Sequence, residues 1–183
     1  MILTLLHKKQ ERRNIMKEQT KRIAFLGIVT SVALILAYVE AILPPIWAAV
    51  PGVKIGLPNL VITFVLYRFG LRDAAIVSGI RLFAVTLLFG NFMTFAYSVA
   101  GAVLSLAVMG ILKKIDKFSM TGVSIAGAVM HNAGQIVVAA ILLDTVQIGY
   151  YMIVLAITGT VAGAFIGIVS ALIVKRTSNM KIY

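Results

Sequence analysis

The chain has no cysteine among its 183 residues. This excludes a disulfide framework and any thiolate-bound metal centre. It is also poor in acid: only six residues are Asp or Glu, and charged residues of both signs make up 13% of the total. A soluble domain carries roughly 25%. The acidic residues Glu11, Glu18, Glu40, Asp73, Asp116 and Asp144 are scattered, with no D-D-x-x-D cluster, and Asp73 and Asp116 read as charges flanking helix ends. A Mg²⁺-dependent diphosphate enzyme needs grouped carboxylates to hold its metal, so catalysis of prenyl transfer is excluded. There is no G-x-x-x-x-G-K-[ST] segment, and ATP binding by a P-loop is excluded with it. His131 is the one histidine inside an apolar run, and no carboxylate stands three or four residues away. A metal site there has too few ligands.

What the chain does have is apolar surface. Hydrophobic residues make up 61% and the mean hydropathy is +1.02. A soluble core of this size cannot hide that much, so lipid is the solvent. The runs predict an all-α, polytopic membrane protein of six transmembrane helices, over about Ile23–Leu43, Leu57–Phe69, Leu71–Phe89, Phe92–Leu112, Val123–Leu143 and Tyr150–Val174. Of the 17 Lys and Arg, 15 sort into alternate gaps. Seven precede the first span, Arg68 and Arg72 follow the second, Lys113, Lys114 and Lys117 follow the fourth, and Lys175, Arg176 and Lys181 close the chain. The positive-inside rule then places both termini in the cytoplasm. The formal net charge of +11 reads as loops facing anionic headgroups, not as a nucleic-acid interface. The division expected is a basic N-terminal segment 1–22, a membrane domain 23–176 and a tail 177–183. Residues 1–22 read either as an interfacial helix or, preferred here, as an extension upstream of a start at Met16 (MKEQTKR). A cleaved signal peptide is not expected, because the first apolar run is too long for one.

Two cations break the pattern, Lys54 and Arg81. Arg81 lies near the middle of the third span, where a cation costs at least about 2.5–3.5 kcal/mol. It needs an anion, either Glu40 or Asp144 or a ligand phosphate or carboxylate, which Arg can bond with two nitrogens at once. Lys54 lies in the segment Leu43–Gly56, whose Pro44, Pro45 and Pro51 prevent a regular helix. That segment reads as an outer loop dipping over a cavity, or as an ordinary surface loop. The second span is only about 20 Å long. His131 and Gln135 share a face of the fifth span, with Asn132 beside them, and either line a polar cavity or join helices. The fourth span presents Asn91, Thr94, Ser98, Gly101 and Ser105 as a polar or small stripe. Asn91 and Tyr97 are its cavity candidates, and Gly101 and Ser105 suit close helix packing equally well. Gly159, Gly163, Gly167 and Ala171 form a small-residue ladder read as intramolecular packing, and Ala33, Ala37 and Ala41 form another that offers a surface to a partner protein.

The segments KIGLPNLVITFVLYRFG, RLFAVTLLFG, AYSVAGAVLSLAVMGILKK and SIAGAVMHNAGQ resemble the Gx transporter family, often labelled heptaprenyl diphosphate synthase component I. The resemblance runs from about Ile23 to Arg176. That family is similar to the substrate-binding S-components of energy-coupling factor (ECF) transporters, six-helix proteins with cytoplasmic termini. The resemblance implies a multi-pass protein of the bacterial plasma membrane that binds an anionic small molecule, isoprenoid- or vitamin-like and diphosphate-containing, from the outer side. It implies partners, a transmembrane coupling subunit and two ATPase subunits, and no cofactor. Carried over residue by residue, Lys54, Asn59, Arg81, His131, Asn132 and Gln135 match the family's polar positions. The helix 1 docking motif matches best at Ala33 and Ala37. Pro58 departs from the pattern, where a small helix former is expected. Two other readings compete. One is a non-catalytic membrane subunit that assists a prenyl diphosphate synthase in quinone synthesis. The other is a secondary carrier, for which Glu40 is the sole candidate proton-coupling carboxylate.

Overall fold

A single glycine turns the chain between its second and third helices. Gly70 has φ 101 and ψ 176, a conformation that only glycine adopts readily. Its N–H bonds back to Val65 and Leu66 carbonyls at 3.2 and 3.1 Å, so one residue both ends one helix and begins the next. The other breaks have equally local causes. Asn91 and Thr94 form a reciprocal capping box that starts the fourth helix. The Ser119 hydroxyl caps the fifth through the Gly122 N–H at 3.1 Å.

The computed structural model describes residues 2–43, 55–144 and 146–179. Among these there are six α-helices: α1 (Ile2–Ile42), α2 (Leu57–Phe69), α3 (Leu71–Phe89), α4 (Phe92–Ile115), α5 (Met120–Leu142) and α6 (Tyr151–Thr177). A 3₁₀ turn over Val146–Tyr150 leads into α6. The bounds of α2 and α3 are those the sequence predicts, and α4 to α6 differ from expectation by only a few residues. α1 differs more. It runs unbroken through the basic segment, so residues 2–22 extend the first span rather than forming a separate helix. Four segments, His7–Ile42, Phe92–Ile115, Met120–Leu142 and Gln147–Thr177, are long and apolar enough to cross a membrane. α3 has the length, at 19 residues, but carries Arg72, Asp73 and Arg81. The outer faces are covered with large exposed apolar side chains such as Ile35, Phe83, Val103, Ile141, Ile157 and Leu172. This is a multi-pass membrane protein.

The short α2 is the centre of the bundle. It packs against α1, α3 and α6, while the remaining contacts run α1–α3–α4–α5–α6. Its residues Val61 to Leu66 are all buried, as expected of a helix apolar on every side. They join Val29 and Ala33 of α1, Ala74 and Val77 of α3, Met109 of α4 and Val123 of α5 in one core. The α5–α6 seam is built on glycine. A Cβ at Gly163 would lie 2.8 Å from Ile125 Cα, and one at Gly167 would lie 2.6 Å from Thr121 Cα. The ladder read in the sequence as intramolecular packing serves that purpose. The α4–α5 seam is as close, with Gly134 facing the Ala100 carbonyl and Gly101 facing the His131 carbonyl.

The basic gaps of the sequence converge on one end of the bundle, where they also join helices. Arg22 of α1 forms a bidentate ion pair with Asp73 in the first turn of α3, with Nε at 3.2 Å from Oδ2. Lys113 of α4 donates to the Leu66 and Tyr67 carbonyls at 2.6 and 3.4 Å, which closes the C-terminus of α2. Arg68 donates to the Ser178 carbonyl at 3.2 Å, beyond the end of α6. At the opposite, charge-poor end, α1 meets α2 through Glu40, whose carboxylate accepts the Gly56 N–H.

Candidate functional site

Helix lengths set the depth of the site. Measured along the two helices from Gly70, Gly56 lies about 21 Å away and Arg81 about 16 Å away. Arg81 therefore lies near the middle of α3, about a turn short of the level at which α2 begins. Arg81 is 9% exposed. Its Nε has no hydrogen-bond partner among the described residues. The sequence offers Glu40 or Asp144 as its counter-charge. Yet no Glu40–Arg81 ion pair within 4.0 Å forms among the described residues, where the pairs are Lys21–Glu18 and Arg22–Asp73. The Glu40 carboxylate instead bonds the α2 N-terminus. Among the described residues, Arg81 Nε and the Tyr67 hydroxyl are the buried side-chain polar atoms without a hydrogen-bond partner, and of the two only Arg81 carries a charge.

A cavity lies deeper, between α2, α4, α5 and α6. It is lined by Asn59, Thr63, Ser105 and Ser124 together with Ile62, Met109, Ala128 and Ile166. Its volume is about 20 Å³, enough for one water held by several polar groups and far too little for a diphosphate. Of the expected site residues, Asn59 is the one the structure places here.

The polar turn of α5 is divided between two seams. Asn132 points to α6, where its Nδ2 donates to the Leu155 carbonyl at 2.7 Å beside Gly159. It joins two helices, one of the two roles open to it from the sequence. His131 and Gln135 lie on the α4 side, with the His131 ring and the Gln135 Cγ each 3.0 Å from where a Gly101 Cβ would be. Both are partly buried, as is Tyr97 on α4. Asn91 is exposed, with its side chain engaged in the α4 capping box. Ala33 is fully buried in the protein's own core, and Ala37 is partly buried one turn further on. Of the small-residue ladder of α1, Ala33 faces the core, Ala37 is half-buried and Ala41 is exposed. Lys54 and residues 44–54 of the expected outer loop lie outside the described residues. Arg81 and Asn59 sit on the central pair α2 and α3, and His131, Gln135 and Tyr97 on the α4–α5 seam; the structure does not gather them into one open pocket.

With this arrangement in hand, comparison with family models matches residues 29–173 to heptaprenyl diphosphate synthase component I. The chain belongs to that family. Comparisons with curated proteins and with solved structures found no match. The component I match begins in the middle of α1 and ends near the last turn of α6. It takes in Glu40, Arg81 and the polar turn of α5, and leaves out the basic N-terminal part of α1 including Arg22.

Two groups that hold the component I fold together went unread in the sequence. Asp73 appears there as a charge flanking a helix end, yet it is 1% exposed and paired with a residue 51 positions away. Lys113 appears as a loop charge and instead closes α2. A carboxylate three residues into an apolar helix, in a chain with only six, was the available signal for the first. Nothing in the sequence signals the second.

Proposed function

We propose that this protein is the substrate-binding S-component of an ECF-type transporter. It captures an anionic, diphosphate-containing small molecule, isoprenoid- or vitamin-like, at its charge-poor end. The observation that carries the reading is Arg81, nine-tenths buried at mid-bundle with a free Nε among the described residues. A cation held at that depth is retained for an anion, and a fork of N–H donors suits phosphoryl oxygens. Asn59, Tyr97, His131 and Gln135 of the neighbouring helices contribute neutral hydrogen-bonding groups once ligand has entered, Lys54 adds charge, and Asn91 and Asn132 hold the helices that frame the site. The basic end faces the cytoplasm of a bacterial cell, and the charge-poor end faces out. The chain has no P-loop, so ATP hydrolysis falls to two partner ATPases reached through a membrane-embedded coupling subunit. Because Ala33 is buried in the core, that subunit meets α1 on the exposed side bearing Ile28, Val32 and Ile35. A cavity of about 20 Å³ requires the helices to part when ligand enters.

The family description supports a second reading, a non-catalytic membrane subunit that assists a prenyl diphosphate synthase. That role would draw on the basic end, whereas the unusual polar groups are in the other half. Native mass spectrometry of the protein purified from its own membrane separates the two. A retained small anion, lost in Arg81→Gln, is the expected result. A ligand-free protein carrying a prenyl synthase and no ATPases would establish the second reading instead.

A further inference from the structure

α2 packs on α1, α3 and α6. Between it and the α4–α5 pair lies the cavity of about 20 Å³, whose wall holds four neutral hydrogen-bonding side chains: Asn59 and Thr63 of α2, Ser105 of α4 and Ser124 of α5. Thr63 and Ser124 are 1% and 4% exposed, and what surface they keep faces this cavity. Among the described residues, neither of their hydroxyls nor the Asn59 amide has a hydrogen-bond partner. Other threonines of the bundle behave differently. The hydroxyls of Thr30, Thr86, Thr158 and Thr160 each donate to the carbonyl four residues back, the usual way for a helix to satisfy them. The Ser105 hydroxyl donates to the Met109 Sδ at 3.6 Å, a weak acceptor. Polar groups turned into an interior cavity are costly unless something there bonds them. No Lys, Arg, Asp or Glu lines the cavity among the described residues. The group that fits is therefore neutral: a water, or a hydroxyl, carbonyl or amide of a ligand.

We infer that the organic part of the ligand is polar: one neutral hydrogen-bonding group on it enters the space between α2 and the α4–α5 pair and takes the place of a water held by Asn59, Thr63, Ser105 and Ser124. The inference rests on Arg81 being the ligand anchor, and it narrows the substrate class from isoprenoid- or vitamin-like to the second. Asn59 and Arg81 stand equally far from Gly70 along the packed helices α2 and α3, about 16 Å each. The cavity and the anchor thus lie at one depth. Met109 is the wall that can yield. Its unbranched side chain lies against Gly127 and can swing aside for a group larger than water. A prenyl chain has nothing to offer these four side chains. Covering them with hydrocarbon leaves them without partners, and a site built to bond a hydroxyl strongly rejects the analogue that lacks it.

The test is native mass spectrometry of the full chain purified from its own membrane, with fragmentation of the retained anion. The anion is expected to carry oxygen or nitrogen outside its phosphates. Thr63→Val keeps the shape of the side chain and removes the hydroxyl; Ser124→Ala removes the hydroxyl facing it. On dilution into fresh micelles the anion is expected to leave each variant about tenfold faster than the wild type, the effect of one lost hydrogen bond. Thr63→Ser, which restores the hydroxyl, is expected to hold it like the wild type. Should Thr63→Val not fold, Ser124→Ala carries the comparison. Added farnesyl diphosphate is expected to displace the anion no better than pyrophosphate does. Three results overturn the polar seat and leave the Arg81 anchor standing: an anion that is pure hydrocarbon beyond its phosphates, better displacement by farnesyl diphosphate, or unchanged release from both hydroxyl-deleted variants. No anion that depends on Arg81 in any of these proteins overturns the anchor and the seat with it.

Discussion

Arg22 and Asp73 show how unequal the two halves of one ion pair can be. The Asp73 side chain is 1% exposed, while that of Arg22 is 41% exposed. Removing the arginine leaves a carboxylate buried and without this partner, and losses of this kind reach about 3 kcal/mol. Removing the charge from the aspartate leaves a guanidinium that can turn toward water or headgroups, as long basic side chains do. Arg22→Ala is therefore expected to destabilise the protein by about 3 kcal/mol and Asp73→Asn by about 1 kcal/mol, the worth of an ordinary hydrogen bond. Reversible unfolding in mixed micelles measures both. Equal losses, or a larger loss for Asp73→Asn, would show that the pair's burial is not what matters.

At the scale of the helices, small residues decide which faces can meet. Gly167 of α6 has Thr121 backbone where its Cβ would be, at 2.6 Å, so Gly167→Ala must push α5 and α6 apart and is expected to cost about 1–3 kcal/mol. Gly79 of α3 is a matched control, because nothing lies within 4 Å of its Cβ position. Gly79→Ala is expected to be neutral or to stabilise by up to about 1 kcal/mol through helix propensity. Thermal melting of the two variants side by side tests this, and a similar response from both would remove the case for close packing. Ala33 extends the argument to α1. Its side chain is fully buried in the core, so Ala33→Leu is expected to lower the melting temperature of the isolated protein, with no partner present. If the isolated variant melts like the wild type and only a complex is lost, Ala33 faces a partner after all.

The whole molecule has two distinct ends, and the absence of cysteine makes them easy to tell apart by labelling. Asp144 is exposed beyond α5 at the charge-poor end, and Asn179 is exposed beyond α6 at the basic end. With the basic end in the cytoplasm, as the positive-inside rule requires, Asp144→Cys reacts with a membrane-impermeant thiol reagent on intact cells. Asn179→Cys then reacts only after the membrane is opened. The reverse pattern would invert the protein and put Arg81 and Glu40 in the inner half, which would remove the argument for capture from outside.

The sequence by itself determined the solvent, the number of helices and which loops share a side. Each follows from local quantities: apolar run length against bilayer thickness, turn residues such as Gly70 and Asn91, and the count of Lys and Arg per gap. It also singled out Arg81, because one cation in an apolar run is conspicuous without any knowledge of its neighbours. Tertiary structure decided what those residues meet. Asp73 looked like a helix-end charge until α1 brought Arg22 to it. Asn132 had two open roles until Leu155 was placed opposite. Ala33 could have faced a partner or the protein's own core until α1 was placed against α2 and α3. Glu40 was one of two acids available to Arg81, and its place at the N-terminus of α2 depends on where that short helix stops. The division has one physical reason: partition into lipid depends on neighbours along the chain, whereas burial, pairing and competition for a charge depend on neighbours in space.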